Sequence, residues 1–158
     1  MTRRLRDALG CFPTGVAVIT TASRTGEKIG ITVNSFSSVS LTPPLVSWCL
    51  SRDSGLVGHF RKGTPFAVNV LAKGQKDLAL RFARPGKNRF TNIRAWTGQN
   101  GAPVLAGRAA LFACTTEAVH GAGDHVIIIG RIDRFAAAKK LPLLFHRGRF
   151  RGLSGGTP

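Results

Sequence analysis

Residues 22–28 are all that separate an apolar, β-branched run at 15–21 from the next at 29–33, and they contain the polar turn sequence Arg24-Thr25-Gly26-Glu27. A parallel pairing needs a crossover of a dozen or more residues, so these two runs predict an antiparallel hairpin. Further β-branched runs at 45–50, 66–71, 110–119 and 125–132 bring the expected count to six strands. Strands that dominate in this way, with few helices between them, predict a mainly β, antiparallel barrel or sandwich rather than a doubly wound α/β sheet. Of the 158 residues 43% are hydrophobic and 19% charged. That is enough apolar side chain for one core and too little charge for a disordered chain. One domain over residues 1–153 and a tail of small residues at 154–158 account for the length.

Leu5, Ala8, Leu9 and Phe12 recur at helical spacing, which predicts an opening amphipathic helix with Thr2 as its cap and Pro13 and Gly15 as its end. Two further short helices are expected, one capped by Ser54 and one over residues 75–83, where Leu78 and Phe82 share a face. No apolar run is long enough to span a bilayer. Arg3, Arg4 and Arg6 are not followed by the apolar segment of a secretory signal, so a cytoplasmic location is expected. Cys11, Cys49 and Cys114 are odd in number and widely spaced, a pattern of reduced thiols without a zinc site or other metal.

Lys and Arg number 23 against 7 Asp and Glu, a net charge of +16, and 16 of the cations are arginine. The summed field attracts polyanions and phosphorylated ligands without specifying which. Arg81, Arg84, Lys87, Arg89 and Arg94 are interleaved with Phe82, Phe90 and Trp96. Such a segment grips a dinucleotide or single-stranded nucleic acid, or is simply a solvated basic face. Arg147, Arg149 and Arg151 repeat the ambiguity. No helix-turn-helix, zinc-finger or RNP-type signature accompanies them, so nucleic-acid binding is the weaker reading.

Polar groups concentrate in three other places. Thr32, Asn34, Ser35, Ser37, Ser38 and Ser40 lie between two apolar strands, either as the wall of a ligand site or as a strand with one wet face. Ser51-Arg52-Asp53-Ser54-Gly55 follows a strand, as a phosphate site or an ordinary capped loop. His125 ends the loop Gly121-Ala122-Gly123-Asp124, where Asp124 can orient its ring. No hydrolytic triad and no GxGxxG after a strand is present, which argues against a hydrolase and a Rossmann dinucleotide site.

Taken in order, these segments resemble the flavin reductase family, the small reductase components of two-component flavin-dependent monooxygenases. The resemblance runs through Leu5-Arg6-Asp7-Ala8-Leu9, Pro13-Thr14-Gly15-Val16, and Thr32-Val33-Asn34-Ser35-Phe36-Ser37-Ser38-Val39-Ser40 with Pro43-Pro44-Leu45. It continues through Phe66-Ala67-Val68-Asn69-Val70-Leu71, Phe82-Ala83, Arg89-Phe90, Gly123-Asp124-His125 with Gly130, and Pro142-Leu143-Leu144 with Gly148. It implies an FMN-binding split barrel: an antiparallel Greek-key β-barrel with a few flanking helices, working as a homodimer with flavin near the subunit interface.

By the same resemblance Thr32, Val33, Asn34, Ser35 and Ser38 line the isoalloxazine and ribityl chain, and Ser51, Arg52 and Ser54 meet the flavin phosphate. Arg89 and Phe90 lie near the cofactor's outer portion. His125 sits by the nicotinamide, with the loop at residues 145–148 nearby. The implied activity is hydride transfer from NADH or NADPH to FMN or FAD, with reduced flavin passed to a monooxygenase partner. A flavoprotein reducing a corrinoid or metal complex is the alternative within the class, and a basic nucleic-acid-binding module the alternative outside it.

Overall fold

The computed structural model describes residues 2–86 and 88–153. The expected tail at 154–158, Lys87 of the basic cluster and the side chain of Thr2 lie outside the described residues. A helix, α1 (Thr2–Leu9), leads into β1 (Thr14–Gly15) and β2 (Ala17–Ala22), which turns back into β3 (Lys28–Val33). This is the hairpin expected from the short spacing, paired from Ala17 opposite Val33 to Ala22 opposite Lys28. Its turn closes because Ser23 Oγ accepts from the amides of Thr25 and Glu27 at 3.2 and 3.0 Å, while Gly26 takes up a φ of 83°.

Next come β4 (Ser37–Leu41), β5 (Pro44–Ser51), β6 (Pro65–Val70), α2 (Lys76–Ala83), β7 (Ala95–Thr97) and β8 (Pro103–Leu105). Two long strands, β9 (Ala110–Ala122) and β10 (His125–Ala137), precede the hairpin of β11 (Leu143–His146) and β12 (Arg149–Gly152). The main sheet has seven antiparallel strands in the order β3-β2-β6-β9-β10-β5-β4. The hairpin β9–β10 is inserted between the consecutive strands β5 and β6, a Greek-key crossing. β3 and β4 are its two edges and do not hydrogen-bond to each other, so the barrel is split rather than closed.

Six strands were expected and twelve are present among the described residues. The additional ones are short, and three of them form a separate sheet, β1-β11-β12. The expected helix after Ser54 is two 3₁₀ turns, Arg52–Ser54 and Val57–His59. Its cap is Ser51, whose Oγ accepts from the Asp53 amide at 3.3 Å, and Gly55 at φ 69° stops the first turn before a helix can propagate. The expected helix over 75–83 begins one residue later and buries Ala79 and Phe82.

Two cores hold the fold. Inside the barrel Ile19, Val46, Trp48, Leu50, Phe60, Phe66, Val68 and Ile128 pack together. The Trp48 and Phe60 rings meet edge to face at 4.8 Å. On the other side of β2, Val16, Val18 and Leu71 pack with Ala79, Phe82, Leu105 and Leu143 beneath α2 and β11. β2 therefore separates the cores, which is why Ala17 through Thr21 are all buried. The apolar stripe of α1 joins neither core, and Leu5, Leu9 and Phe12 are exposed.

Candidate functional site

Along β5 the side chains alternate, with Val46, Trp48 and Leu50 buried in the barrel and Ser47, Cys49 and Ser51 half-buried on the opposite face. The register with β10 sets Ser51 opposite His125 and Cys49 opposite Ile127. The end of one strand thus meets the start of another, and four of the expected site residues gather at one rim.

Ser51 Oγ accepts from the Asp53 amide at 3.3 Å and Ser54 Oγ from the Leu56 amide at 3.2 Å. A hydroxyl used as an acceptor keeps its proton, so both can donate to an anion. Arg52 lies between them in sequence. Its amide donates to Asp124 O at 3.0 Å and its Nε to His125 O at 3.3 Å, binding this turn to the β9–β10 loop. A methyl group on Gly121 would run into the Arg52 guanidinium, so the glycine gives the arginine room to lie across the loop.

His125 Nδ1 is 2.7 Å from Asp124 Oδ1. The hydrogen bond from His125, and next its charge, hold the Asp124 carboxyl below the usual carboxylate range. With Nδ1 engaged, the imidazole presents Nε2 outward. Two hydroxyl donors, a guanidinium and an oriented imidazole form a donor set that fits a phosphorylated ligand, with the exposed Asp53 the one carboxylate inside the turn.

The segment from Thr32 to Ser40 is not a uniform wall. Thr32 Oγ1 donates to Ala79 O at 2.7 Å and ties β3 to α2, while Val33 belongs to the barrel core. Ser35 reaches β5, where its Oγ accepts from the Cys49 amide at 2.9 Å, two residues from Ser51. Asn34 is exposed and lines a cleft with α1, Phe145, Arg147 and Gly148. Ser38 is exposed on the edge strand β4.

Arg89 and Phe90 stand apart, behind β3. Arg89 Nη1 donates to Gly30 O at 2.7 Å, and Phe90 packs against Phe82 at 4.9 Å. Gly30 admits this packing, because a Cβ there would meet both rings. Arg81 donates to Thr91 O, and Arg108 lies 5.1 Å from the Trp96 ring centre. The aromatic and basic residues of this segment thus spend much of their chemistry on the protein itself, not on an exposed stacking groove. Among the described residues no three His, Cys, Asp or Glu side chains gather as a metal site, and no helix is long and apolar enough to cross a membrane.

The class this architecture defines is a split antiparallel barrel with hydroxyl, guanidinium and imidazole groups gathered at one rim. Residues 9–154 match the flavin reductase like domain, and the chain belongs to that family. It is 44% identical to the FMN reductase (NADH) SmoA of Agrobacterium fabrum, over 94% of this chain and 84% of that protein. It is 41% identical to the reductase component of the flavin-dependent trigonelline monooxygenase of Acinetobacter baylyi, over 94% of this chain and 48% of that protein. The chain spans about half the length of some of the curated relatives it matches. The structure of the NADH:FAD oxidoreductase SgcE6 of Streptomyces globisporus, in complex with NAD and FAD fragments, superposes with a TM-score of 0.91. The two are 36% identical, and the match covers 97% of this chain and 93% of that one.

The 145–148 loop expected beside the nicotinamide lines the Asn34 cleft, while Arg6 and Thr14 of the same cleft were not among the expected site residues. The signal for that loop was local. Arg147-Gly148 falls between two short apolar segments as a two-residue turn pair.

Proposed function

We propose that this chain is an NAD(P)H:flavin oxidoreductase that moves a hydride from NADH or NADPH to FMN or FAD and supplies reduced flavin to a flavin-dependent monooxygenase. The observation that carries this reading is the rim where Ser51, Arg52 and Ser54 meet His125 across β5 and β10. Family membership and the likeness to SmoA and SgcE6 support it.

A bound flavin supplies the hydride acceptor, so no acid, base or nucleophile is demanded of the protein. Ser51 and Ser54 would each donate a hydroxyl hydrogen bond to the flavin phosphate, and Arg52 would add charge. Asn34, Ser35 and Ser38 border the ring and ribityl chain, with Val33 supporting them from the core. Thr32, Arg89 and Phe90 act from behind by fixing β3. His125, its ring set by Asp124, orients the nicotinamide carboxamide through Nε2. The work is positional, holding two planar rings in contact.

The protein acts as a homodimer, which would cover the exposed Phe12, Leu41 and Phe135. Its three free thiols suit the cytoplasm. The test is NADH absorbance with the purified protein and added FMN or FAD. Flavin-dependent oxidation of NADH or NADPH is expected, and its absence with both flavins and both donors would overturn the reading.

A further inference from the structure

Two shallow clefts flank residues 106–108, one of about 330 Å³ beside α2 and one of about 260 Å³ beside the end of β10. Arg81 and Arg94 line the first, Arg108 and Lys140 the second. Hydrogen bonds hold the walls together as one surface. Gln75 Nε2 donates to Ala106 O at 2.8 Å, the Ala106 amide donates to Arg94 O at 2.9 Å, and Lys140 Nζ donates to Gly107 O at 3.1 Å. Lys73 adjoins them: its amide donates to Leu141 O at 2.8 Å, and its stem lies over Gly152, where a Cβ would collide with it.

These five cations share no residue with the rim described above. Among the described residues none of them is within ion-pair distance of a carboxylate. Of the seven acidic residues only Asp77 lines either cleft. Charge of one sign gathered on one face repels itself, and an opposite charge relieves that cost. Trp96 links the two clefts, two positions after Arg94 and beneath Arg108. It is 48% exposed, whereas the other tryptophan, Trp48, is fully buried. The Arg108 guanidinium is fixed by a 2.8 Å bond from Nη1 to Leu105 O and lies 5.1 Å from the Trp96 ring centre. Tryptophan and arginine are the residues that carry most energy at the centres of protein interfaces, with weaker contacts around them.

Chemistry separates the occupants such a face could take. A second copy of this chain would bring like charges together. A strand of nucleic acid needs open aromatic faces for its bases, but Phe82 is buried, Phe90 packs on it, and Arg108 covers Trp96. A small anion needs cations that converge, and these are spread over two clefts. We propose that this face docks a protein partner through a carboxylate-rich surface, with Trp96 and Arg108 at the centre of the contact. The proposal does not depend on the flavin reductase reading, because the face takes no part in the hydride transfer.

The test uses labelled polyglutamate as the carboxylate-rich probe, read by fluorescence anisotropy, beside oligothymidylate of equal charge. One variant carries Lys73→Gln, Arg94→Gln and Lys140→Gln on the face. A control carries Arg24→Gln, Lys28→Gln and Lys62→Gln, exposed cations elsewhere, and changes the net charge equally. Polyglutamate is expected to bind the wild type more tightly than oligothymidylate does. It should bind the face variant about tenfold more weakly, as for the loss of three exposed ion pairs, while the control keeps most of its affinity. Bound polyglutamate should also shield Trp96 from quenching by acrylamide, with Trp96→Phe separating that signal from buried Trp48. This last measurement is made on the wild type, so it decides the matter even if thermal melts show the face variant unfolded. No binding of polyglutamate, equal loss in the face and control variants, tighter binding of oligothymidylate, or Trp96 still open to acrylamide at saturation would each overturn the proposal.

Discussion

Deleting the His125 ring should separate the two substrates. If Nε2 orients the nicotinamide while the flavin rests on the Ser51–Ser54 turn and the Asn34–Ser35 segment, His125→Ala slows flavin reduction and spares flavin affinity. A misplacement of about 1 Å can cost on the order of a hundredfold in rate. Stopped-flow reduction, a flavin titration and a thermal melt check this; wild-type reduction kinetics, or joint loss of both ligands with a lower melt, would remove His125 from the assigned role. Ser54→Ala should act the other way, weakening flavin binding by about 1–3 kcal/mol if its proton reaches the phosphate. An unchanged titration would take Ser54 out of the site. The Asp124–His125 pair was legible because its members are adjacent, whereas the cap was not: Ser54 was expected, and Ser51 holds the turn. Arg89 was not legible either. Its side chain looked free for a ligand, and its partner, the Gly30 carbonyl, is 59 positions away.

At the scale of elements, the β2–β3 hairpin could be read from its spacing and polar turn, whereas the short β11–β12 hairpin, though its Arg147-Gly148 turn is polar, could not. β7 and β8 are three residues each, too short for a period of two to register, and they are held by tertiary contacts instead. The buried Asn69 shows how: its Oδ1 accepts from the Leu105 amide at 2.8 Å and its Nδ2 donates to Val18 O at 3.1 Å. The helical period in α1 was correctly read, but its side chains from Arg3 to Leu9 are all exposed. In β9, Cys114 is fully buried among barrel residues, and burial, then the charge of Asp133, pushes its thiol up from 9.0 to about 12. The folded protein therefore keeps this proton more tightly than the unfolded chain does. Stability should fall as pH rises from about 9 toward about 12, because only the unfolded thiol ionises in that window. Cys114→Ala should start less stable, for the cavity it leaves, and lack that part of the alkaline decline. Urea midpoints at several alkaline pH values decide it, and parallel slopes in the two proteins would refute it.

The whole molecule carries +16, yet among the described arginines and lysines only Arg131 lies within ion-pair distance of a carboxylate, 3.5 Å from Asp133. Two such molecules repel each other, while the anionic flavin and nicotinamide nucleotide of the proposed reaction would be drawn in. Against that repulsion stand large apolar side chains left bare on the single chain: Leu41 is 91% exposed, Phe135 77% and Phe12 76%. Burying them at a two-fold interface is the association a split barrel with open edges invites. The two effects predict opposite responses to salt. Screening shortens the reach of charge to about 10 Å at 0.1 M ionic strength and less above it, so added salt should tighten the proposed homodimer. The same salt should weaken capture of FMN, which bears a phosphate, and leave neutral riboflavin nearly unaffected. Sedimentation velocity across a salt series, run beside FMN and riboflavin titrations, reads both at once. A fully active monomer at micromolar concentration would contradict the dimer, and riboflavin losing affinity as steeply as FMN would show that the charge does not act through the phosphate.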